Sequence, residues 1–215
     1  MHMPNIDRQE KELISRAKQG DMQAFEELIL QHEKIVYNVA FRMMNHSEDA
    51  KDLSQEVFLK AYKNLEKFDE RSSFSTWLYR ITTNTCIDEM RRRKGKQSYS
   101  LEAELENEDG SMQRQVAAEE ETPEEQLLRQ EGRSEILQAL DTLSAEHKAA
   151  VILRDIRGMS YEEIAEIIEL PMGTVKSRIS RARNQMKAEI LKIRERNSAG
   201  FRHKTKTKNG KEGRT

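Results

Sequence analysis

Apolar residues recur along most of this chain at spacings of three and four, with charged residues between them, which is the periodicity of α-helices. From Ile6 to Gly20, Leu13, Ile14 and Ala17 share one side; Gly20 closes the run, and Asp21 is placed to cap the next. That next run puts Phe25, Leu28, Ile29, His32, Ile35, Val36, Val39, Ala40 and Met43 on one broad stripe. Asn45, His46 and Ser47 interrupt it, Glu48 and Asp49 supply first-turn acids, and a third helix with Leu53, Val57, Ala61 and Leu65 inward is predicted to about Leu65. After a loop from Lys67 to Ser73, with Ser73 or Ser75 as cap, Phe74, Trp77, Leu78 and Ile81 form an apolar seam on a helix that Gly95 is expected to end.

The pattern fades from about Gln97 to Glu121 and resumes at Thr122, where Thr122, Pro123 and Glu125 have the spacing of a capping box with proline at the first helical position. Leu127, Leu128, Ile136, Leu137 and Leu140 follow. Ser144 is predicted to cap a helix containing Ala149, Val151, Ile152, Leu153 and Ile156, with Gly158 as its stop. Then Ser160 stands three residues before Glu163, another capping box, and Ile164, Ala165, Ile167 and Ile168 make a short amphipathic helix expected to stop near Leu170. Pro171 and Gly173 read as a turn, and Thr174 as the cap of a last helix with Val175, Ile179 and Met186 on its packed face. No run of alternating β-branched residues makes a convincing strand, so the fold class is all-α: two small helical domains joined by a flexible acidic linker.

Composition sharpens this outline. The 215 residues are 36% hydrophobic and 35% charged, with 9 Gly, 3 Pro and 6% aromatic residues, which suits small polar domains with solvated connections. The formal net charge is −1, but its distribution is uneven. Between Leu101 and Glu125 ten acids face one base; between Pro171 and Arg196 eight bases face two acids. Such segregation points to a nucleic-acid partner for the basic part. The single cysteine, Cys86, excludes an internal disulfide and reads as a small buried hydrophobe. No stretch approaches the roughly 20 apolar residues of a membrane span, nor does the N-terminus resemble a signal peptide, so a cytoplasmic location is expected.

Helix, tight turn and basic helix over Ser160–Arg183 is the outline of a DNA-reading helix-turn-helix. Its candidate contacts are Thr174, Lys176, Ser177, Arg178, Ser180, Arg181 and Arg183. Solvated Lys and Arg are the commoner outcome on any helix; short polar residues interleaved with bases just after a capped turn favour DNA. On the helix after the loop, Arg80, Thr83, Asn84 and Arg91 share a face that ends in Arg91, Arg92, Arg93, Lys94 and Lys96. A basic, polar face beside aromatics suits unstacked nucleotides, although Trp77 taken by itself reads as core. On the third helix Asp52, Gln55, Glu56 and Leu59 form one contiguous patch, which spacing alone assigns to solvated surface as readily as to docking. His32 lacks any accompanying Cys or His cluster, so a metal role is not indicated. No nucleophile–base pair or phosphate-cradling glycine loop appears, so no catalysis and no cofactor are expected. Metal ligation by Asp52, Glu56 and Asp88 would need more than helical spacing.

Three stretches taken together, DLSQEVFLKAY, FSTWLYRITTN and LSAEHKAAVILRDIRGMSYEEIAEIIELPMGTVKSRISRAR, separated by an acidic linker, resemble an extracytoplasmic-function sigma factor, the minimal branch of the sigma-70 family. The resemblance covers approximately residues 21–191. It implies sigma region 2 over 21–96 after an N-terminal extension (1–20), a linker over 97–121, and sigma region 4 over 122–196. A basic tail, 197–215, expected to be disordered, lies beyond it.

By that resemblance the chain binds core RNA polymerase through its β′ and β subunits, with Asp52, Gln55, Glu56 and Leu59 on the β′ clamp helices. Phe68, Asp69, Arg71, Ser72, Trp77, Arg80, Thr83, Asn84 and Arg91 would read and melt the minus-ten element as single strand. The basic helix would read duplex at minus thirty-five, and the linker would thread the RNA channel. An anti-sigma protein is the implied inhibitor of a chain that is monomeric when free. The alternative is a free-standing helix-turn-helix regulator. Glu169 stands where such proteins often carry glycine or a small residue before the turn.

Overall fold

The computed structural model describes residues 4–99, 132 and 134–208, and every described element is helical. The helices are α1 (Pro4–Lys18), α2 (Met22–Met44), α3 (Ser47–Asn64), a short 3₁₀ turn (Leu65–Lys67), α4 (Phe74–Tyr99), α5 (134–141), α6 (Ala145–Val151), a π-helical turn (Ile152–Ile156), α7 (Tyr161–Ile167) and α8 (Met172–Lys208). Nearly all of the expected linker, the capping box at Thr122 and the apolar Leu127 and Leu128 lie outside the described residues.

Local caps set most boundaries. The Asp21 carboxylate accepts from the Gln23 and Ala24 amides at 3.0 and 3.1 Å, and Asn45 ends α2 in the left-handed region at φ 55°. His46 caps α3, its ring accepting from the Asp49 amide. Ser73 rather than Ser75 caps α4, accepting from the Thr76 amide at 3.0 Å.

Three boundaries differ from the sequence expectation. Helix α4 runs through Gly95 to Tyr99: an exposed helical glycine costs only about 1 kcal/mol relative to alanine, and the Arg and Lys residues before it favour helix and complement its C-terminal dipole. Helix α8 starts at Met172, so Thr174 lies inside it, and Pro171 is the true cap residue, its carbonyl accepting from Thr174 and Val175 at 2.8 and 3.1 Å. Gly173 therefore sits in the first helical turn. Finally, α8 continues to Lys208, through most of the tail expected to be disordered. Once nucleated, a helix adds one hydrogen bond for each further residue fixed, and the Ala, Arg and Lys residues of this stretch favour it.

One core joins α1 through α4: Leu13, Ile14 and Ala17 of α1 meet Phe25, Leu28, Val36, Val57, Ala61, Phe74 and Leu78. The two halves, expected to be separate, share a second core. Val39, Ala40 and Met43 of α2 with Tyr79, Cys86 and Ile87 of α4 meet Ala149, Ala150, Ile152, Leu153, Ile164, Ile167, Val175 and Ile179. Helix α4 thus buries one face against the first three helices and another against α6 and α7, which explains why its sequence lacks a single apolar stripe. Among the described residues no helix is long and apolar enough to cross a membrane.

Candidate nucleic-acid interface

The helix-turn-helix is built as its sequence requires. The Glu163 amide donates to Ser160 Oγ at 3.1 Å, and the Ser160 amide donates to Glu163 Oε2 at 2.7 Å. That backbone bond holds the Glu163 carboxyl below the ordinary carboxylate range. Ile164 and Ile167 then seat against Val175 and Ile179, all buried. The turn is made by Glu169 in the left-handed region at φ 53°, a conformation glycine adopts without strain.

On α8, Thr174, Lys176, Ser177, Ser180 and Arg181 are exposed and Arg178 is half-buried. Arg178 and Arg181 make no ion pair among the described residues, so their donors are available. Lys176 lies over the Tyr161 ring, 5.4 Å from its centroid, beside Arg154 at 4.6 Å. Arg183 differs: its guanidinium donates from Nε and Nη2 to Asp155 of the π-helical turn, which raises its already high pKa and braces α8 against that turn.

The second basic face lies on α4 and the loop before it. Asp69, Arg71, Ser72, Asn84 and Arg91 are at the surface and Arg80 is half-buried. Asp69 and Arg71 pair with each other, and the Arg71 amide donates to Asp69 Oδ1 at 3.2 Å. Phe68, Trp77 and Thr83 are corrections to the expected nucleic-acid face: none presents a surface. Phe68 and Trp77 pack ring to ring at 5.1 Å with Phe74 beside them, because three aromatics so close in sequence bury more area together than apart. Thr83 is fully buried, and its hydroxyl has no hydrogen-bond partner among the described residues.

Sequence reasoning missed what covers this face. The Arg80 guanidinium meets Glu169 at 3.3 Å and Arg91 meets Glu146 at 2.6 Å. Asn45 donates to Asp141 at 2.8 Å, and Arg157 donates to the Tyr79 hydroxyl while its guanidinium lies 5.6 Å from that ring. Accepting from its own amide and from Arg91 outweighs partial burial and keeps Glu146 below the usual carboxylate range. Lys148, only 2% exposed, is neutralised by Asp141 at 2.6 Å, which satisfies a charge that burial would otherwise penalise. Such pairs connect residues far apart in sequence, and periodicity carries no trace of them.

The α3 patch is intact. Asp52, Gln55, Glu56 and Leu59 all face solvent, Leu59 at 60% exposure, with Glu56 paired to Lys60 at 2.7 Å. Cys86 is buried, which pushes its thiol up to about 12. No group of three or more His, Cys, Asp or Glu among the described residues is placed to hold a metal ion.

Comparison with known proteins accounts for both halves. The family model of sigma-70 region 2 matches residues 28–96, and that of sigma-70 region 4 matches residues 133–186. The ECF RNA polymerase sigma factor SigW of Bacillus subtilis is 36% identical over 181 residues, covering 84% of this chain and 96% of that one. The ECF RNA polymerase sigma-E factor of Escherichia coli K12 is 35% identical over 182 residues, covering 83% and 92%. The solved complex of the sigma factor RpoE with the anti-sigma factor NepR from Bartonella quintana superimposes with a TM-score of 0.59 at 28% identity, covering 80% of this chain and 99% of that one. With both sigma-70 region models matched in order and relatives covered almost end to end, the chain belongs to the extracytoplasmic-function sigma factors of the sigma-70 family.

Proposed function

We propose that this chain is a promoter-specificity subunit of bacterial RNA polymerase that performs no chemistry itself. It joins the core enzyme through Asp52, Gln55, Glu56 and Leu59, reads duplex at minus thirty-five with Lys176, Arg178 and Arg181, and opens the minus-ten element with the loop 68–73 and Arg80, Asn84 and Arg91. The observation that carries this reading is the presence on one chain of two separate polar basic faces, on α4 and α8, beside a solvated acidic patch with an exposed leucine. One face suits a splayed strand and the other a major groove.

Promoter engagement requires the two halves to separate, because acids of the second half occupy Arg80 and Arg91 of the first. A cationic side chain engaged by a carboxylate cannot also bind phosphate at full strength. Core polymerase supplies the opening by holding the halves apart. An anti-sigma protein would hold them in the opposite sense, as a partner of the kind seen with RpoE.

The test is reconstitution: the purified chain with core enzyme in run-off transcription on a library of promoter fragments. Specific initiation is expected, and Asp52→Arg should abolish co-elution with core while leaving the helical content unchanged. A chain that binds promoter duplex alone and neither co-elutes nor initiates would be a free-standing regulator instead.

A further inference from the structure

Helix α1 lies outside the residues matched by the sigma-70 region 2 family model, yet its last turn is built into the loop that follows α3. The Lys18 ammonium donates to the Phe68 carbonyl at 2.6 Å and to Glu70 Oε1 at 3.0 Å, and lies 5.4 Å from the centre of the Phe68 ring. Its position is fixed from below, since Leu13, Ile14 and Ala17 pack in the same core as Phe68, Phe74 and Trp77. It is fixed from beside as well: the adjoining turn is tied by Arg16 gripping Asp21 at 2.7 Å.

We propose that Lys18 is a positioning residue for promoter opening, holding the loop 68–73 in the shape that engages the minus-ten strand. Two physical needs meet at its ammonium. Glu70 adopts φ 60°, the left-handed region that disfavours a side chain, so the loop keeps this turn only if its neighbours determine it. Lys18 does so from both sides, through the carbonyl two residues before and through the Glu70 side chain itself. The second need is electrostatic. Glu70 stands between Asp69 and Arg71, and a free carboxylate there would repel an approaching phosphate; paired with Lys18 it is neutralised. Asp69 and Arg71 are already paired with each other, so the loop meets DNA as a shaped, locally neutral surface.

This inference rests on the reading that the loop contacts the minus-ten element, and the experiment separates the two. Holoenzymes carrying Lys18→Met, Lys18→Arg, Lys18→Met with Glu70→Gln, and Asp69→Ala are compared on one promoter. The readouts are closed-complex affinity, permanganate reactivity of minus-ten thymines, and thermal unfolding of the free chain. Lys18→Met is expected to leave core association and closed-complex affinity unchanged and to lower open-complex formation about tenfold, the scale of one charge-assisted hydrogen bond. Lys18→Arg should restore most of that loss, and adding Glu70→Gln should restore part of it. If Asp69→Ala impairs opening while Lys18→Met does not, the loop reading stands and the role of Lys18 is overturned. If neither impairs opening, the loop reading itself fails. An equal fall in unfolding temperature, closed-complex affinity and opening would make Lys18 merely structural and would also overturn the proposal.

Discussion

The Tyr79 hydroxyl accepts from Nε of Arg157 at 2.8 Å, joining α4 to the end of the π-helical turn across 78 residues of sequence. It is the most enclosed of the polar links between the halves, for Tyr79 is buried while the arginines at Glu146 and Glu169 remain partly in water. Removing only the hydroxyl, with Tyr79→Phe, leaves the ring packed and takes away the acceptor of the exposed Arg157 side chain. The closed arrangement should lose about 1 kcal/mol. A fluorophore pair placed on α3 and α8 should then report a larger open population in the free chain.

Thr83 falls one helical turn from Tyr79 and one from Ile87, both in the core shared by the halves. Its buried hydroxyl has no partner among the described residues, so closure costs the solvation of that group. Thr83→Val keeps the shape and removes the cost. The folded chain should gain about 1 kcal/mol, read as a raised unfolding temperature. Promoter opening should nevertheless fall, because the valine stabilises the closed form from which the halves must part. A lowered unfolding temperature would contradict this account.

Among the described residues Arg178 and Arg181 on α8 have no ion-pair partner, whereas Arg183 is held by Asp155. Substituting either of the first two by alanine should weaken binding to promoter duplex by about 1–3 kcal/mol if they read base edges. Arg183→Ala should act differently, lowering stability and weakening all duplexes alike. Competition between promoter and random duplex separates the two behaviours, and equal loss on both for Arg178→Ala would make it a phosphate contact.

At the other end of α4, Arg93 bridges Asp49 at 2.6 Å and Glu89 at 2.7 Å, and Arg92 also donates to Glu89. Hydrogen bonds from Arg92 and then Arg93 lower the Glu89 carboxyl from 4.5 to about 2, and Arg93 lowers Asp49 in the same direction. A carboxyl lowered in the folded state stabilises the fold fully above its ordinary value and loses that contribution as pH falls through its folded value. The chain should therefore weaken as pH drops from 4.5 toward about 2. Glu89→Gln should flatten that decline, measured as urea midpoints at about pH 5 and about pH 3.

What could be read from the sequence was what neighbours in sequence decide. The caps at Asp21, Ser73, Ser144 and Ser160 need only a side chain and an amide two or three residues on, and each is present. The α3 patch survived because its inward stripe of Leu53, Val57 and Ala61 fixes which way the rest faces. Thr174 misled because two cap-like signals compete there and the proline wins, its missing N–H costing nothing at a helix start. Phe68 misled because a loop aromatic can face either way until Phe74 and Trp77 offer it a pocket. The shared core of the two halves was invisible for a stronger reason: Tyr79, Cys86 and Ile87 lie on a face that looks ambiguous until α6 and α7 arrive.

Helix α8 has one more consequence. It spans 37 residues, about 55 Å at 1.5 Å per residue, so its end at Lys208 stands about 48 Å along the axis from Lys176. Salt damps fields over roughly 8 Å under physiological conditions, so charge at the far end adds nothing to the potential felt by Arg178. The reach exceeds one full turn of duplex, about 34 Å. The far end of α8 therefore stands at arm's length from the turn that carries Arg178, too distant for its charge to act there.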